Sequence, residues 1–538
     1  MKAENFKICY RKLKSYAYFD KAEGILRKQI VQFELRDDFE KRIKNLYNIL
    51  SSKQDKKWND FLSEQLEEIH IYKFPKSIDT NEKEEIIINM EHDGDIIKVT
   101  KDNIQYRIGM PIELHILSII WIEMIGKKID KKFADTSYGN RLLIQEDINE
   151  SDEDISEKWS PYLYKPYFNE YESWRDKGLE VAEKCYREKE DCLIIMLDIK
   201  RFFYSVSLKQ EMFDNFIDGA SKENARLNEL VFKVCEKYSE IIHRIINDKN
   251  ENIFLPIVFL PSAILANWYL DEFDKNIIDR VNPDYYGRYV DDMIIVHKIK
   301  GNSELKSLLS KEYVSKEEIL NNYFIDFKQQ NLIKNSLITP NKDDNVRSGE
   351  KTYQINFFDE LSKESKLEIN DNKIKIFYLK AGGTKALIDK FKESIKNNSS
   401  EFRLLPDGNN IFLDNYNDIY KLKQNESINS LRGIEDIKID KYELSKFIGK
   451  NLTVANLIKD ASESKFYDDL EKIFQPSIII ENYLLWESIL NLCIVNKRLD
   501  KFKSFTDNII NAISMINKDE EVNNKSIDIK NTLINYLF

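Results

Sequence analysis

The stretch Tyr285-Tyr-Gly-Arg-Tyr-Val-Asp-Asp-Met-Ile-Ile-Val296 decides how this chain is interpreted. Aromatic and β-branched residues on both sides of the acidic pair favour two short strands joined at Asp291 and Asp292. An acidic turn on the surface would stand between polar residues, whereas these carboxylates interrupt an apolar segment. Because buried charge is costly unless it is compensated, the pattern predicts that burial or a metal ion compensates the two acids.

A third acid follows a buried-strand pattern upstream. Leu193-Ile-Ile-Met-Leu197 runs directly into Asp198, and the chain continues as Ile199-Lys-Arg-Phe-Phe203. An apolar run of this length predicts a strand that ends at the acid. Alone, such an acid is best interpreted as a turn residue. Together with the hairpin it completes a set of three carboxylates, the ligands that hold divalent cations in phosphoryl transfer.

These two segments resemble conserved motifs of the reverse transcriptases: the segment from Asp198 resembles motif A, and Tyr289 to Asp292 resembles motif C. The resemblance is to the reverse transcriptases of bacterial phage defence and abortive infection, and it implies an α/β palm-and-fingers polymerase fold. It also implies a site for two Mg²⁺ ions, with Mn²⁺ as an alternative. In that site Asp198 and Asp291 are the principal ligands, Asp292 assists, and the carbonyl of Ile199 completes the sphere.

The same resemblance assigns residues to nucleotide binding. Phe203 takes the position of the ring beneath the incoming sugar, where a bulky side chain excludes a ribose 2′-hydroxyl and so selects dNTPs for synthesis of DNA. Alternation along a strand sends Phe202 and Phe203 to opposite faces, so a plain core role fits only one of them. Asn267, in the segment resembling motif B, and Tyr289 are further nucleotide-binding candidates.

Between the acidic motifs lies an apolar stretch, residues 253–270, of almost membrane-spanning length. Two prolines and Asn267 interrupt it, and acidic residues follow at once. We therefore expect a helix from Ser262, acting as its cap, to about Ile278, and no membrane span.

One position departs from the family pattern in this segment. The loop of motif B usually carries a glycine two residues after its first proline, and here that position is Val258. Glycine allows the backbone to approach nucleotide and template closely, which a branched side chain obstructs. Val258 therefore predicts restricted, RNA-guided or template-independent synthesis. The alternative is local repacking, in which a neighbouring residue lines the site.

Two more segments resemble family elements. Ser137-Tyr-Gly-Asn-Arg-Leu142 resembles the fingers segment, which implies that Arg141 contacts the triphosphate. The alternative is a surface arginine in a Gly-Asn turn. Leu337-Ile-Thr-Pro-Asn-Lys342 resembles the motif whose lysine protonates departing pyrophosphate, with a solvated surface lysine as the alternative for Lys342.

Composition sets outer limits. With 538 residues, 42% of them hydrophobic, the chain has material for two or more domains with cores. Its formal net charge of −11 counts against nonspecific binding to nucleic acid. The 5 cysteines show neither C-x-x-C spacing nor a nearby histidine cluster, so no zinc site or disulfide framework is expected. A reduced bacterial cytoplasm fits this pattern.

We predict three regions: residues 1–110 as an amino-terminal helical extension with fingers, 111–395 as reverse-transcriptase-like fingers and palm, and 396–538 as an α-helical, repeat-like domain. Within them, alternation over Lys373–Leu379 predicts a strand. The family resemblance further implies a homo-oligomer and a noncoding RNA as a partner. The leading function is a DNA polymerase. The alternatives are a primase-like or ribonucleotide polymerase, which Phe203 argues against, and an inactive scaffold, which the three carboxylates argue against.

Overall fold

A computed structural model describes part of the chain. The described residues are 2–19, 23–76, 78, 97, 99–144, 162–216, 221–248, 251–299, 301, 303–311, 313–324, 338–340, 351–356, 367–381, 420–424, 434–439, 444–445, 447–449, 451–452, 467, 470–471, 473–517 and 525–538. They form a mixed α/β protein that divides into two compact units. Unit 1 comprises residues 1–20, 26–70 and 108–393, and unit 2 comprises 21–25, 71–107 and 394–538.

The helices and strands follow one another in this order: α1 (Ala3–Phe19), α2 (Gly24–Glu34), α3 (Phe39–Leu50), α4 (Asp55–Glu67), β1 (His70–Pro75), β2 (Ile104–Gly109), α5 (Ile112–Trp121), α6 (Lys127–Asp130), α7 (Tyr167–Arg187), β3 (Asp191–Asp198), α8 (Phe202–Ser205), α9 (Gln210–Asp214), α10 (Lys222–Ile246), α11 (Leu260–Asn276), β4 (Tyr285–Tyr289), β5 (Asp292–Ile299), α12 (Glu304–Leu309), α13 (Lys316–Tyr323), β6 (Ile338–Pro340), β7 (Thr352–Ile355), β8 (Glu368–Asn370), β9 (Lys375–Leu379), β10 (Tyr420–Gln424), β11 (Ile434–Ile439), α14 (Pro476–Glu481), α15 (Trp486–Val495), α16 (Leu499–Met515), β12 (Ser526–Ile527) and α17 (Ile529–Leu537). Two π-helical turns, Ile122–Gly126 and Ile277–Val281, extend α5 and α11.

Unit 1 is organised by an antiparallel sheet whose strand order is β4-β5-β3-β9. Helices α8 to α11 lie between β3 and β4 in sequence, and α12 and α13 lie between β5 and β9. Strand β3 is thus central, and the hairpin β4–β5 and strand β9 flank it. This is a split βαβ arrangement, in which sequentially distant strands become neighbours.

Helices cover both faces of this sheet. Trp174 and Cys185 of α7 pack with Ile194 of β3 and Ile294 of β5 on one face. On the other face, Asp274 of α11 accepts hydrogen bonds from side chains of β4. Both faces of β3 are therefore covered by other elements. Because successive side chains point to opposite faces, the strand needs an apolar residue at each position, which explains its continuous hydrophobic run.

The predicted elements around the sheet are confirmed with adjusted bounds. The run 193–197 is a strand that ends at Asp198, and the acidic hairpin forms, but Asp292 already belongs to its second strand. Strand β9 begins at Lys375, after a 3₁₀ turn over Asp371–Lys373. The predicted helix from Ser262 begins earlier, because Pro261 occupies its first turn, where a missing N–H costs nothing. The Ser262 hydroxyl donates to the carbonyl of Pro256 at 2.8 Å.

Unit 2 contains strands as well as helices. Strand β1 pairs in parallel with β12, β2 lies on the other side of β1, and β10 pairs with β11. The Arg107 guanidinium lies 4.2 Å from the ring centroid of Phe74 and donates to the Tyr483 hydroxyl at 2.7 Å. Unit 2 therefore takes in residues 71–107, which the sequence analysis had assigned to an amino-terminal region.

Candidate functional site

Three acidic residues lie together at one end of the unit 1 sheet. Asp198, the last residue of β3, lies directly opposite Asp292, the first residue of β5, in the strand register. Asp291 precedes Asp292 in the hairpin turn, and its carbonyl accepts a hydrogen bond from the Ile199 backbone N–H at 3.2 Å. Strand pairing therefore brings together the three acids that the sequence analysis selected, from two segments distant in the chain.

A buried arginine behind the hairpin holds its turn in shape. Val290 has φ 58, a left-handed conformation that β-branched residues rarely adopt. Its carbonyl accepts a hydrogen bond from Arg288 Nη1 at 2.9 Å, and Arg288 Nη2 donates to Asp274 Oδ2 at 2.6 Å. Arg288 has 0% and Asp274 1% of its surface exposed. Because both side chains are buried, loss of either one would leave the charge of the other uncompensated. This ion pair therefore fixes the hairpin to helix α11.

The segment predicted as part of the fingers packs against the same hairpin. The Tyr138 N–H donates to the Arg288 carbonyl at 2.8 Å, and the Arg288 N–H donates to the Thr136 carbonyl at 2.8 Å. A Cβ atom at Gly139 would lie 2.6 Å from the backbone nitrogen of Val290, so only glycine fits. The glycine of this motif thus permits close contact with the carboxylate turn.

The side chain of Asn267 belongs to this support. Its Nδ2 donates to the Gly139 carbonyl at 2.8 Å, and its Oδ1 accepts from Arg288 Nη1 at 2.9 Å. Only 1% of Asn267 is exposed. Asn267 was predicted to bind the nucleotide, whereas in the structure its amide bonds to protein groups that position the hairpin.

Arg141 likewise bonds to protein groups. Its Nε donates to the Asp130 carboxylate at 3.2 Å, and its Nη1 donates to the carbonyls of Ala134 and Ser137 at 3.2 and 2.8 Å. These contacts anchor the loop that carries Gly139. Two of these acceptors are backbone carbonyls, which leave no trace in a sequence. Lys342, the other candidate for contact with phosphates, lies outside the described residues.

The side chains of Phe202 and Phe203 point to different surroundings, as predicted, but a helix and not a strand separates them. They lie in the short helix α8 and not in a strand, which corrects the alternation argument. Phe202 is 2% exposed, whereas Phe203 is half-buried, with the ring centroids 5.9 Å apart and the planes at 82°. Arg201 makes this turn possible with φ 47. One ring therefore enters the core and the other remains accessible near the end of β3.

Val258 adopts a left-handed conformation, which glycine accepts more readily than a branched residue. Its φ is 76, and its side chain is half-buried. The loop before it is tied to the Phe203 segment, because the Leu255 N–H donates to the Phe203 carbonyl at 3.0 Å. A valine in this region costs on the order of 1–3 kcal/mol and persists only where the surroundings enforce it.

Tyr289 packs in an aromatic group next to the carboxylates. Its ring centroid lies 5.2 Å from that of Tyr171 and 5.8 Å from that of Trp174. Its hydroxyl donates to the Tyr167 carbonyl at 3.4 Å. Burial raises the pKa of Tyr289 to about 12, so its hydroxyl keeps its proton at neutral pH.

The carboxylates carry more negative charge than their surroundings compensate. Burial, followed by the charges of Asp291 and Asp198, raises the pKa of Asp292 to about 7. Burial also raises the pKa of Asp291, with a further contribution from the charge of Asp198. Groups that destabilise one another's charged forms in this way are typical of sites that bind a cation or exchange protons.

Lys373 is a functional candidate that the sequence analysis missed. Its Nζ lies 2.8 Å from Asp198 Oδ2, and hydrogen bonding to Asp198 raises the pKa of the lysine. It ends the 3₁₀ turn before β9, which pairs with β3. The sequence shows only that Lys373 begins the alternating segment 373–379. Its contact with Asp198 depends on the pairing of β9 with β3, which the sequence does not show.

The donor set suits a hard divalent cation, because carboxylate oxygens are the ligands that Mg²⁺ and Mn²⁺ prefer. Within the described ranges, however, no three acidic, histidine or cysteine side chains already converge as a metal site. Asp198 directs one oxygen to Lys373 instead. Binding of two cations by Asp198, Asp291 and Asp292 therefore requires rotation of side chains, while the backbone already places the three residues together.

We expect replacement of Asp292 by asparagine to stabilise the protein at alkaline pH in EDTA. The folded-state pKa, about 7, lies above the ordinary value of about 3.9, so the contribution of Asp292 to stability is fully present below about pH 4 and is lost as the pH rises through about 7. After allowance for solvent screening, Asp292→Asn should gain about 1–2 kcal/mol at about pH 8. Thermal unfolding of both proteins between about pH 5 and pH 8 measures this difference, and parallel curves would contradict it.

No protein-family model matches the chain, and no curated protein matches it. Among the described residues, no helix combines the length and apolar character needed to cross a membrane.

Proposed function

We propose that this chain is a DNA polymerase resembling the reverse transcriptases of antiphage defence. One observation carries the proposal: Asp198, Asp291 and Asp292 meet at one end of an antiparallel sheet with split βαβ order. An accessible aromatic ring, Phe203, follows the first acid in the chain. The proposal includes, by family resemblance alone, restricted or RNA-guided synthesis, a noncoding RNA partner and a homo-oligomer.

The chemistry needs little covalent help from protein. Two divalent cations held by the three carboxylates would supply charge stabilisation for the attacking and leaving oxygens. Arg288 and Asn267 keep the hairpin that presents Asp291 and Asp292 in place. Phe203 would lie against the sugar of the dNTP, and Lys373 would supply a positive charge beside its phosphates. We assign this phosphate-binding part to Lys373 because it already lies against Asp198.

Incubation of the purified protein with labelled dNTPs, a mixed-sequence primer and Mg²⁺ tests the proposal. We expect incorporation that EDTA abolishes and Mn²⁺ restores, and that rNTPs do not support. Incorporation of rNTPs as efficient as that of dNTPs would instead favour the ribonucleotide polymerase.

A catalytically inactive scaffold is the second candidate, and the Lys373–Asp198 ion pair favours it because the ammonium group occupies a carboxylate needed for metal. Absence of incorporation with every nucleotide and metal, both with and without copurifying RNA, would favour that candidate over the polymerase.

Phe203→Val should increase the use of ribonucleotides relative to deoxynucleotides by roughly 10–100-fold, because it opens the space beside C2′. The ratio of incorporated rNTP to dNTP measures this change. Phe202→Leu is the matched control, since its ring is buried in the core and should leave the ratio unchanged. An unchanged ratio in Phe203→Val would remove the residue from the sugar site.

Val258→Gly should both stabilise the protein and widen its use of templates. Glycine accepts the φ of 76 without strain, so we expect a gain of about 1 kcal/mol in the free energy of unfolding. We expect the wild type to copy arbitrary primed RNA templates poorly, and loss of the branched side chain should allow such copying. Primer extension on unrelated templates checks this, with Val258→Ala as the intermediate case. Full-length copying by the wild type would show that Val258 imposes no restriction.

A further inference from the structure

The surface at the start of helix α7 is rich in exposed tyrosine. Between residues 162 and 173 the exposed side chains are those of Tyr162, Lys165, Pro166, Tyr167, Asn169, Tyr171 and Ser173, whereas Glu170 and Glu172 are only partly exposed. Tyr167 is 62% and Tyr171 40% exposed. Three of these exposed side chains are tyrosines and one is a lysine, in a chain whose net charge is −11.

The rings of Tyr167 and Tyr171, which we call the α7 tyrosine patch, continue directly into the carboxylate hairpin. Helix α7 runs antiparallel to β3, since Cys185 near its end packs with Cys192 at the start of that strand. Its beginning therefore lies at the carboxylate end of the sheet. The Tyr171 ring packs edge-on against Tyr289, with centroids 5.2 Å apart at 83°.

Two contacts place the patch close to the acids themselves. Tyr289 stands opposite Asp292 in the β4–β5 register, and its hydroxyl donates to the backbone carbonyl of Tyr167. Burial, and then the charge of Asp292, raises the pKa of Tyr171. A molecule that reached the three carboxylates from this side would pass over the two tyrosine rings.

We propose that the α7 tyrosine patch binds the bases of single-stranded DNA next to the carboxylates. Tyrosine rings offer stacking surfaces to any base, and each stacked base contributes roughly 1–3 kcal/mol. Lys165, which is exposed, supplies a positive charge for a neighbouring phosphate. A duplex would not fit this chemistry, because its bases are already stacked on each other.

The identity of the bound strand as the growing product rests on the proposed polymerase function, but its binding does not. The binding experiment therefore omits nucleotides and contains EDTA, so that it reports on the patch alone. If the protein binds DNA but does not polymerise, the binding proposal stands and the polymerase proposal fails. If it polymerises but substitutions in the patch do not weaken DNA binding, the polymerase proposal stands and the binding proposal fails.

The test is fluorescence anisotropy of a short fluorescein-labelled oligodeoxythymidylate titrated with full-length protein. Tyr167→Ala and Tyr171→Ala should each weaken binding roughly 10-fold, while Tyr167→Phe and Tyr171→Phe retain wild-type affinity because they keep the ring. Tyr313→Ala is the matched control, since Tyr313 is 86% exposed and lies between α12 and α13. It should bind like the wild type.

Folding must be separated from binding, because Tyr171 packs on Trp174 and Tyr289. Thermal unfolding of each variant provides that separation, and Tyr167→Ala carries the test if Tyr171→Ala unfolds. Unchanged affinity in a folded Tyr167→Ala variant would overturn the proposal. So would equal loss in the alanine and phenylalanine variants, or competition by duplex DNA as strong as that by single strands.

Discussion

Replacing Asp291 by alanine is expected to lower dNTP incorporation by about 10³-fold or more. Metal-held charge stabilisation contributes several kcal/mol to phosphoryl transfer, and each 1.36 kcal/mol corresponds to a factor of about ten in rate. Asp198 and Asp292 alone would leave one cation with too few protein ligands. Incorporation of labelled dNTPs at matched protein concentration, with and without Mg²⁺, measures the loss.

For Asp291→Ala, the structure predicts that activity is lost while the folded state stays as stable as in the wild type. Burial and the charge of Asp198 raise the pKa of Asp291, so its ionised form is unfavourable in the folded protein without metal. We therefore expect Asp291→Ala to unfold in EDTA at the same temperature as the wild type or above it. Asp279→Ala, an exposed acid beyond α11, is the control that should retain full incorporation. Equal incorporation by Asp291→Ala and the wild type would refute the carboxylate site.

Arg288→Ala should destabilise the protein by about 3–5 kcal/mol, the usual cost of leaving a buried charge without its partner. It would strand the carboxylate of Asp274, which is 1% exposed, and remove the donor to the Val290 carbonyl. Incorporation should fall as well, since the left-handed turn that presents Asp291 loses its support. The urea midpoint and the slope of the unfolding transition measure the change in the free energy of unfolding.

Arg244→Ala is the matched control for this prediction. Arg244 pairs with Glu240 on the exposed side of α10, where an ion pair contributes at most about 0.5 kcal/mol. The double variant Arg288→Met, Asp274→Leu should recover part of the loss, because it removes both buried charges together. A change in Arg288→Ala as small as that in Arg244→Ala would show that the guanidinium does not hold the hairpin.

The sequence by itself determined the local elements of this site. An apolar run of strand length gave β3 with Asp198 at its end, and β-branched and aromatic flanks gave the hairpin of Asp291 and Asp292. Alternation and apolar runs are sufficient here because strand formation and burial follow from nearest neighbours and from hydrophobicity. The palm-and-fingers fold and the polymerase activity remain predictions that rest on these elements.

Only the tertiary structure decided which groups meet. Several of these contacts join residues far apart in sequence. The strand register sets Asp198 opposite Asp292, Lys373 contacts Asp198, and Arg288 is buried against Asp274. Asn267 and Arg141 were predicted to contact the nucleotide, and in the structure both donate to backbone carbonyls, which leave no trace in a sequence, while Arg141 also donates to the Asp130 carboxylate. The physical reason is that a side chain's partner depends on how distant elements pack, whereas its helix or strand depends mainly on its neighbours.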